Sequence, residues 1–265
     1  MKWMDDADQA ISRVPFFVRR RVRKRVEEEA VRSNSSVVTM EHVERCHRRF
    51  LNDMENEVKG YQVEACFGTG GCPNKVVESD GLTRTLEDQL QRADIKGFLK
   101  TVVKGPLKMH HEFRIALADC PNACSRPQIA DIGIIAAMRP GLSEEKCTQC
   151  RACKDVCREQ AVFLTEGAEH PVIDYVKCVL CGQCVQACPT STLVTQQIGY
   201  RIQLGGKLGR HPQLGREIPG IYSEPQVIGI VEACLGHLKQ NSRKGERFGE
   251  ILNRTGLQFF NNEVG

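Results

Sequence analysis

Phe113-Arg114-Ile115-Ala116-Leu117-Ala118-Asp119-Cys120-Pro121-Asn122-Ala123-Cys124 is the stretch on which the fold turns. Phe113, Ile115 and Leu117 recur at every second position, the period of a half-buried strand, and the run leads straight into a Cys-x3-Cys loop. The same arrangement occurs upstream. Tyr61, Val63 and Ala65 alternate with polar residues and run into the Cys-x5-Cys loop Cys66-Phe67-Gly68-Thr69-Gly70-Gly71-Cys72. Both first cysteines therefore fall where a strand ends and a loop begins. Four thiolates at two strand ends suffice for one iron–sulfur cubane, although spacing alone also admits zinc or an unrelated cluster. Glycines at 68, 70 and 71 would let backbone N–H groups approach cluster sulfurs or a flat ligand.

Working outward, the segment from Leu82 to Leu99 is predicted to be helical with Leu86 and Leu90 facing inward. Further strands are expected over Ile132 to Ala136 and Tyr200 to Leu204. The loop Gly205-Gly206-Lys207-Leu208-Gly209-Arg210 follows, then helices over 225–240 and 243–256. Cys234 shares the apolar face of the first of these with Val227, Val231 and Leu238, which makes it structural. Residues 1–58 read as helical: Asp5 to Val14, a second helix after Pro15 with Val18, Val22, Val26 and Ala30 in a stripe, and a third N-capped by Thr39. On the third, Val43, Cys46, Phe50 and Met54 share a face, so Cys46 is expected to be a buried core thiol.

Residues 142–195 form a separate unit with an internal repeat. Cys147, Cys150, Cys153 and Cys157 recur as Cys178, Cys181, Cys184 and Cys188, each displaced by 31 residues. Two runs of Cys-x2-Cys-x2-Cys-x3-Cys, the second followed by Pro189, resemble the bacterial two-cluster ferredoxin. Three cysteines spaced by two reach three corners of one cubane. The fourth is expected to open a short helix and point to the other cluster. By that resemblance Cys147, Cys150, Cys153 and Cys188 hold one [4Fe–4S] cluster, and Cys178, Cys181, Cys184 and Cys157 hold the other. Structural zinc is the competing use of paired Cys-x2-Cys, and eight thiolates in two identical runs weigh against it.

The bulk numbers narrow the class. Apolar residues make up 41 % of the 265, an ordinary globular fraction. No apolar run reaches the ~20 residues of a membrane span, and the acidic start lacks the order of a signal peptide, so a cytoplasmic protein is expected. In that compartment 14 cysteines at short repeated spacings point to metal rather than disulfides. A net charge of +4 is too small to imply nucleic acid. The Arg19–Arg25 cluster is read as a solvated helix face, with docking of an acidic electron donor or cover for an anionic cofactor as alternatives.

Neighbouring residues sharpen the first cysteine set. Cys120-Pro121-Asn122-Ala123-Cys124-Ser125-Arg126 running into Ile129-Ala130-Asp131-Ile132-Gly133 resembles the siroheme-binding domain of sulfite and nitrite reductases. So do Gly205-Gly206-Lys207-Leu208-Gly209-Arg210-His211-Pro212 and Gly245-Glu246-Arg247-Phe248-Gly249. The resemblance covers 60–141 and 196–258, with 142–195 as a ferredoxin insertion. It implies an α+β fold, a third [4Fe–4S] cluster on Cys66, Cys72, Cys120 and Cys124, and siroheme bridged through Cys124. Residues 1–46, with Trp3 and Arg13-Val14-Pro15-Phe16-Phe17-Val18-Arg19, resemble the C-terminal module of the light-independent protochlorophyllide reductase B subunit, which accompanies reductive tetrapyrrole chemistry.

What the resemblance implies is a reductase of sulfite or nitrite fed by an electron-donor protein. Siroheme carboxylates and an anionic substrate both call for arginine and lysine. Arg126, Lys207, Arg210 and Arg84 are the candidates for substrate or cofactor, with His211 as a proton donor. Gly68, Thr69, Asn122, Gly205 and Gly206 are the candidates for lining the cofactor. Family members carry two copies of a half-domain plus siroheme repeat; this chain has one siroheme-type domain and no recognisable half-domain. A homo-oligomer or a partner subunit is then expected to complete the site. The alternatives are a non-catalytic electron carrier with three clusters and no siroheme, or an accessory protein acting on a tetrapyrrole.

Overall fold

The computed structural model describes residues 1–258, with 52–54 and 68–69 described by backbone alone. The chain divides into two compact units, 1–59 with 103–110, and 60–102 with 111–265. The first unit thus extends beyond residue 46, and the cysteine repeat stays with the second.

The first unit contains β1 (Lys2–Trp3), α1 (Asp5–Ser12), α2 (Phe16–Arg32), β2 (Val37–Val38) and α3 (Met40–Glu57). Its core is Ala7, Ile11, Val26, Ala30 and Val38, with Trp3, Val22, Val43 and Cys46 packed against it. Thr39 caps α3 as expected, in a reciprocal box where its N–H donates to His42 Nδ1 at 3.0 Å. Three readings change. Cys46 is only half-buried and Phe50 is 47 % exposed, so the apolar face of α3 is not fully covered; Met54 lies outside the described side chains. The basic run is not simply solvated: Arg19 donates to the Val14 and Ser12 carbonyls, and Arg23 pairs with Asp8 at 2.6 Å while lying over the Trp3 ring. A parallel pairing of β1 with β2, too short to leave a period in sequence, ties the ends together.

The second unit is built on β3 (Tyr61–Ala65), α4 (Asp80–Arg92), α5 (Ile95–Val102), β4 (Phe113–Ala118) and β5 (Ile132–Leu142). It continues through α6 (Ala152–Asp155), β6 (Val162–Phe163), β7 (Val172–Ile173) and α7 (Gln183–Gln186). It closes with β8 (Leu193–Leu204), β9 (Arg216–Tyr222), α8 (Glu224–Asn241) and α9 (Phe248–Thr255). Among the described residues one five-stranded sheet runs β3-β4-β5-β8-β9. The first three strands are parallel; β8 and β9 are antiparallel to their neighbours. A parallel pair needs a crossover, and α4 and α5 supply the one between β3 and β4.

The expected single helix over 82–99 is two, because Asp94 takes a left-handed φ of 44° and its carboxylate accepts the Gly97 N–H at 3.0 Å. Leu82, Leu86 and Leu90 are buried, as are Val227, Val231, Cys234 and Leu238 of α8. Strands β5 and β8 are longer than alternation implied. They pair from Ile132↔Leu204 to Leu142↔Leu193 with a bulge between Arg139 and Pro140, where a proline is tolerated. The 142–195 segment therefore leaves from the tip of a two-stranded ribbon continuous with the sheet.

Candidate metal centre

Parallel register fixes the first site. Tyr61 pairs with Phe113 and Ala65 with Leu117, so Cys66 and Cys120 emerge from the carboxyl ends of adjacent strands, the end where open parallel sheets bind ligands. Cys66 N–H bonds the Leu117 carbonyl at 3.0 Å. The Cys120–Arg126 loop then doubles back: Ala123 and Arg126 take φ of 54° and 57°, and Ser125 donates to the Leu117 carbonyl.

Burial pushes the Cys120 thiol above its ordinary value, and charge on Cys66, Cys124 and Cys72 pushes it the same way. Cys66, Cys72 and Cys124 are thus charge neighbours of Cys120 at the strand ends. In the repeat, the Cys153 thiol is raised by burial and then by Cys147, Cys188 and Cys150. The Cys184 thiol is pushed up to about 12 by burial and by Cys178, Cys181 and Cys157. Cys188 is thus a charge neighbour of Cys153, and Cys157 of Cys184. Burial would raise Cys188 too, yet the Leu193, Thr190 and Thr192 N–H groups and the Thr190 hydroxyl bring it below its ordinary value. Ala161 N–H likewise donates to Cys157 Sγ at 3.2 Å. Donors of this kind also tune cluster sulfurs.

One local expectation is corrected. The third cysteine, not the fourth, sits in each short helix: Cys153 in α6 and Cys184 in α7, with Cys157 and Cys188 following the helix ends. Left-handed Arg151 and Gly182 begin those helices and turn the chain so that this happens. Among the described residues, no three His, Cys, Asp or Glu side chains close on a single ion. A cubane spreads its four thiolates more widely than one ion does, so the grouping and this spacing are compatible.

The fit of a flat cofactor rests on what lies beyond Cys124. Cys120 is buried, whereas Cys124 is exposed. Carbon atoms added at Gly70 or Gly71 would meet nothing within 4 Å. Asn122 and Arg126 are exposed on the same loop. Gly68 and Thr69 lie outside the described side chains. Arg126 borders a cleft of about 70 Å³ with Glu64, Ser125, Leu208 and Arg114. Buried Arg114 Nε there has no hydrogen-bond partner among the described residues. Sequence reading missed Arg114, although a basic residue at an off-beat position between Phe113 and Ile115 was the available signal.

The glycine loop is differently employed. A Cβ at Gly206 would strike the Gln128 carbonyl at 2.4 Å, and one at Gly205, whose φ is +81°, would crowd Leu252 and Gly249. Both glycines are buried against the chain itself. Lys207 is 8 % exposed and its ammonium bonds Glu250 at 2.5 Å. Arg210, His211 and Arg84 are exposed and border none of the described cavities beside the cysteines.

Cysteines at two strand ends and in a ferredoxin-like repeat mark an iron–sulfur protein. Residues 59–265 match the model of the nitrite and sulphite reductase 4Fe-4S domain, and 3–46 match that of the proto-chlorophyllide reductase 57 kD subunit. The chain belongs to the nitrite and sulphite reductase 4Fe-4S domain family. It is 30 % identical over 203 residues to the coenzyme F420-dependent sulfite reductase of Methanocaldococcus jannaschii, covering 76 % of this chain and 30 % of the relative. It is 27 % identical over 236 residues to the dissimilatory-type sulfite reductase subunit beta of Archaeoglobus fulgidus, covering 79 % of this chain and 64 % of the relative. The chain therefore spans less than two thirds of either relative's length. In fold it is similar to dissimilatory sulfite reductase I, with a TM-score of 0.50 at 17 % identity over 74 % of this chain and 50 % of that one. Among the described residues no helix is long and apolar enough to cross a membrane.

Proposed function

We propose that this chain is the siroheme- and iron–sulfur-bearing part of a reductase of sulfite or nitrite. The observation that carries this reading is the grouping of Cys66, Cys72 and Cys120 with an outermost, exposed Cys124. Cys66, Cys72, Cys120 and Cys124 would hold one [4Fe–4S] cluster, with Cys124 shared with the siroheme iron. Cys147, Cys150, Cys153 and Cys188 would hold a second, and Cys178, Cys181, Cys184 and Cys157 a third. The clusters supply one-electron transfer, and siroheme supplies the iron at which a small oxyanion is reduced.

The chain's own residues do the rest. Arg126 and Arg114, on the loop and strand beside Cys124, provide guanidinium groups suited to cofactor carboxylates or to the anion. The exposed loop positions of Asn122 and Cys124 leave access for a partner or second copy to close the cage. Electrons would come from a separate donor protein and enter through the insertion's clusters. Residues 1–46, 60–141 with 196–258, and 142–195 are the corresponding functional segments.

Two observations favour the second reading, an electron-transfer subunit without siroheme: Lys207 is already neutralised by Glu250, and Gly205 and Gly206 are filled by the chain's own atoms. Turnover separates the two. Anaerobically purified protein with reduced viologen is expected to consume sulfite or nitrite, each tested alone. Viologen that stays reduced with both anions, alone and with a co-purifying partner, leaves only the electron-transfer reading.

A further inference from the structure

The insertion meets the strand-end cysteine loops at one place. Gln183, the residue before Cys184, donates from Nε2 to Oδ1 of Asn74, two residues after Cys72, at 3.2 Å. Among the described hydrogen bonds, it is the one that runs directly between the insertion and those loops. Backbone contacts hold the neighbouring turn to β5: Met138 N–H bonds the Leu180 carbonyl at 2.7 Å, and Cys181 forms an isolated bridge with Met138. Gly182 is required there, since its φ is +71° and a Cβ would lie 2.4 Å from Met138 Sδ. Beside the amide pair, Asn74, Pro121 and Asn122 wall the same cavity of about 110 Å³ as Cys157, Cys178, Cys181 and Cys184, so the strand-end loops border the space a cluster on those four cysteines would fill. The Asn74–Gln183 bond ties the two sides of that wall directly, while the backbone bond to Leu180 holds the turn to β5.

We propose that Asn74 and Gln183 are positioning residues that fix the separation of the Cys157/Cys178/Cys181/Cys184 set from the Cys66/Cys72/Cys120/Cys124 set. This makes the former the inner relay and the Cys147/Cys150/Cys153/Cys188 set the outer one. The inference rests on the proposed cluster occupancy. The step served is the passage of one electron: the inner set's cluster loses it, the strand-end cluster gains it, no bond is made or broken, and no proton moves through the amides. Both side chains are neutral, so they set distance without adding charge to either site. Each sits within two residues of a predicted ligand, which leaves little slack in the chain to absorb a change at the bond.

A double-mutant cycle on the full anaerobic protein tests this. Asn74→Asp keeps an acceptor for Gln183, and Gln183→Glu is satisfied when Asn74 turns its amide to donate. The two together place carboxylates face to face, ionised at about pH 8, and force the loops apart. Gln183→Leu removes the bond without adding charge. The readouts are magnetic broadening between the reduced clusters in EPR and the intercluster transfer rate after flash reduction. The expected result is near-normal single acidic variants, and a rate lower by about tenfold with reduced broadening in both the double variant and Gln183→Leu. Wild-type broadening and rate in those two variants, with iron content unchanged, overturn the inference alone. A wild-type protein with iron for only the insertion's clusters overturns the proposed function and this inference together.

Discussion

The backbone N–H of Asp119 donates to the Cys66 sulfur at 3.2 Å, so the end of β4 braces the first thiol of the strand beside it. Asp119 is itself locked in place: its carbonyl accepts the Val76 N–H at 2.7 Å, and its buried carboxylate accepts the Ser79 hydroxyl. One residue thus connects the ends of both strands to the chain leaving Cys72. The site is held by rigid sheet and turn rather than by free loop, which is what a preorganised metal site requires.

If the strand-end tetrad holds its own cluster, Cys66→Ala, Cys72→Ala and Cys120→Ala each lower iron by about four atoms per chain and leave the insertion's signals in place. Iron assay with EPR of the reduced protein reads this. An unchanged iron content in all three contradicts it.

The interlocked grouping predicts which variants behave alike. Cys188→Ser should remove the same EPR signal as Cys147→Ser, and Cys157→Ser the same signal as Cys178→Ser. Pairing by sequence run, with Cys157 lost alongside Cys147, would refute the cross-over read from the thiol environments.

Asp131, fully buried at the start of β5, accepts from the Arg114 N–H at 2.9 Å and from Arg247 Nη2 at 2.5 Å. It joins β4, β5 and the cap of α9. Removing one member of a buried pair strands the other charge, so Arg247→Leu should cost about 3 kcal/mol. Anaerobic thermal unfolding checks this; a melting temperature within a degree or two of wild type would mean the pair is dispensable.

Much of this is legible in the sequence. Period-two alternation marked β3 and β4 because each has one buried face, and the repeat of cysteine spacing marked the insertion. Other features carry no local signal. The extension of β5 and β8 is masked by Pro140 and Gly141 at a bulge. The expected role of Lys207 took no account of Glu250, which lies 43 residues away and meets it only in the fold. Arg114 has no signal beyond its off-beat position in β4, and the glycine loop that stands out in sequence packs Gly205 and Gly206 against the chain itself. The basic run of α2 was read as solvated because its partners, Trp3 and Asp8, belong to other elements.

The Lys207–Glu250 bond has a pH signature. Its hydrogen bond to Lys207 is the main reason the Glu250 carboxyl is held below its ordinary value. A depressed folded-state value means the stabilisation is present above the unfolded value of about 4.3 and is lost as pH falls through the lower folded one. Wild type should therefore lose more stability than Glu250→Gln between about pH 5 and pH 3. Parallel denaturation curves of the two proteins, each compared with itself across pH, test this. Equal losses would show that the bond contributes nothing in solution.

The most direct test of the account is the stoichiometry of iron and extractable tetrapyrrole in anaerobically purified wild type and Cys124→Ser. The account predicts about thirteen irons with about one siroheme per wild-type chain, and loss of the cofactor's visible bands in the variant. About twelve irons with no macrocycle in the wild type would contradict it.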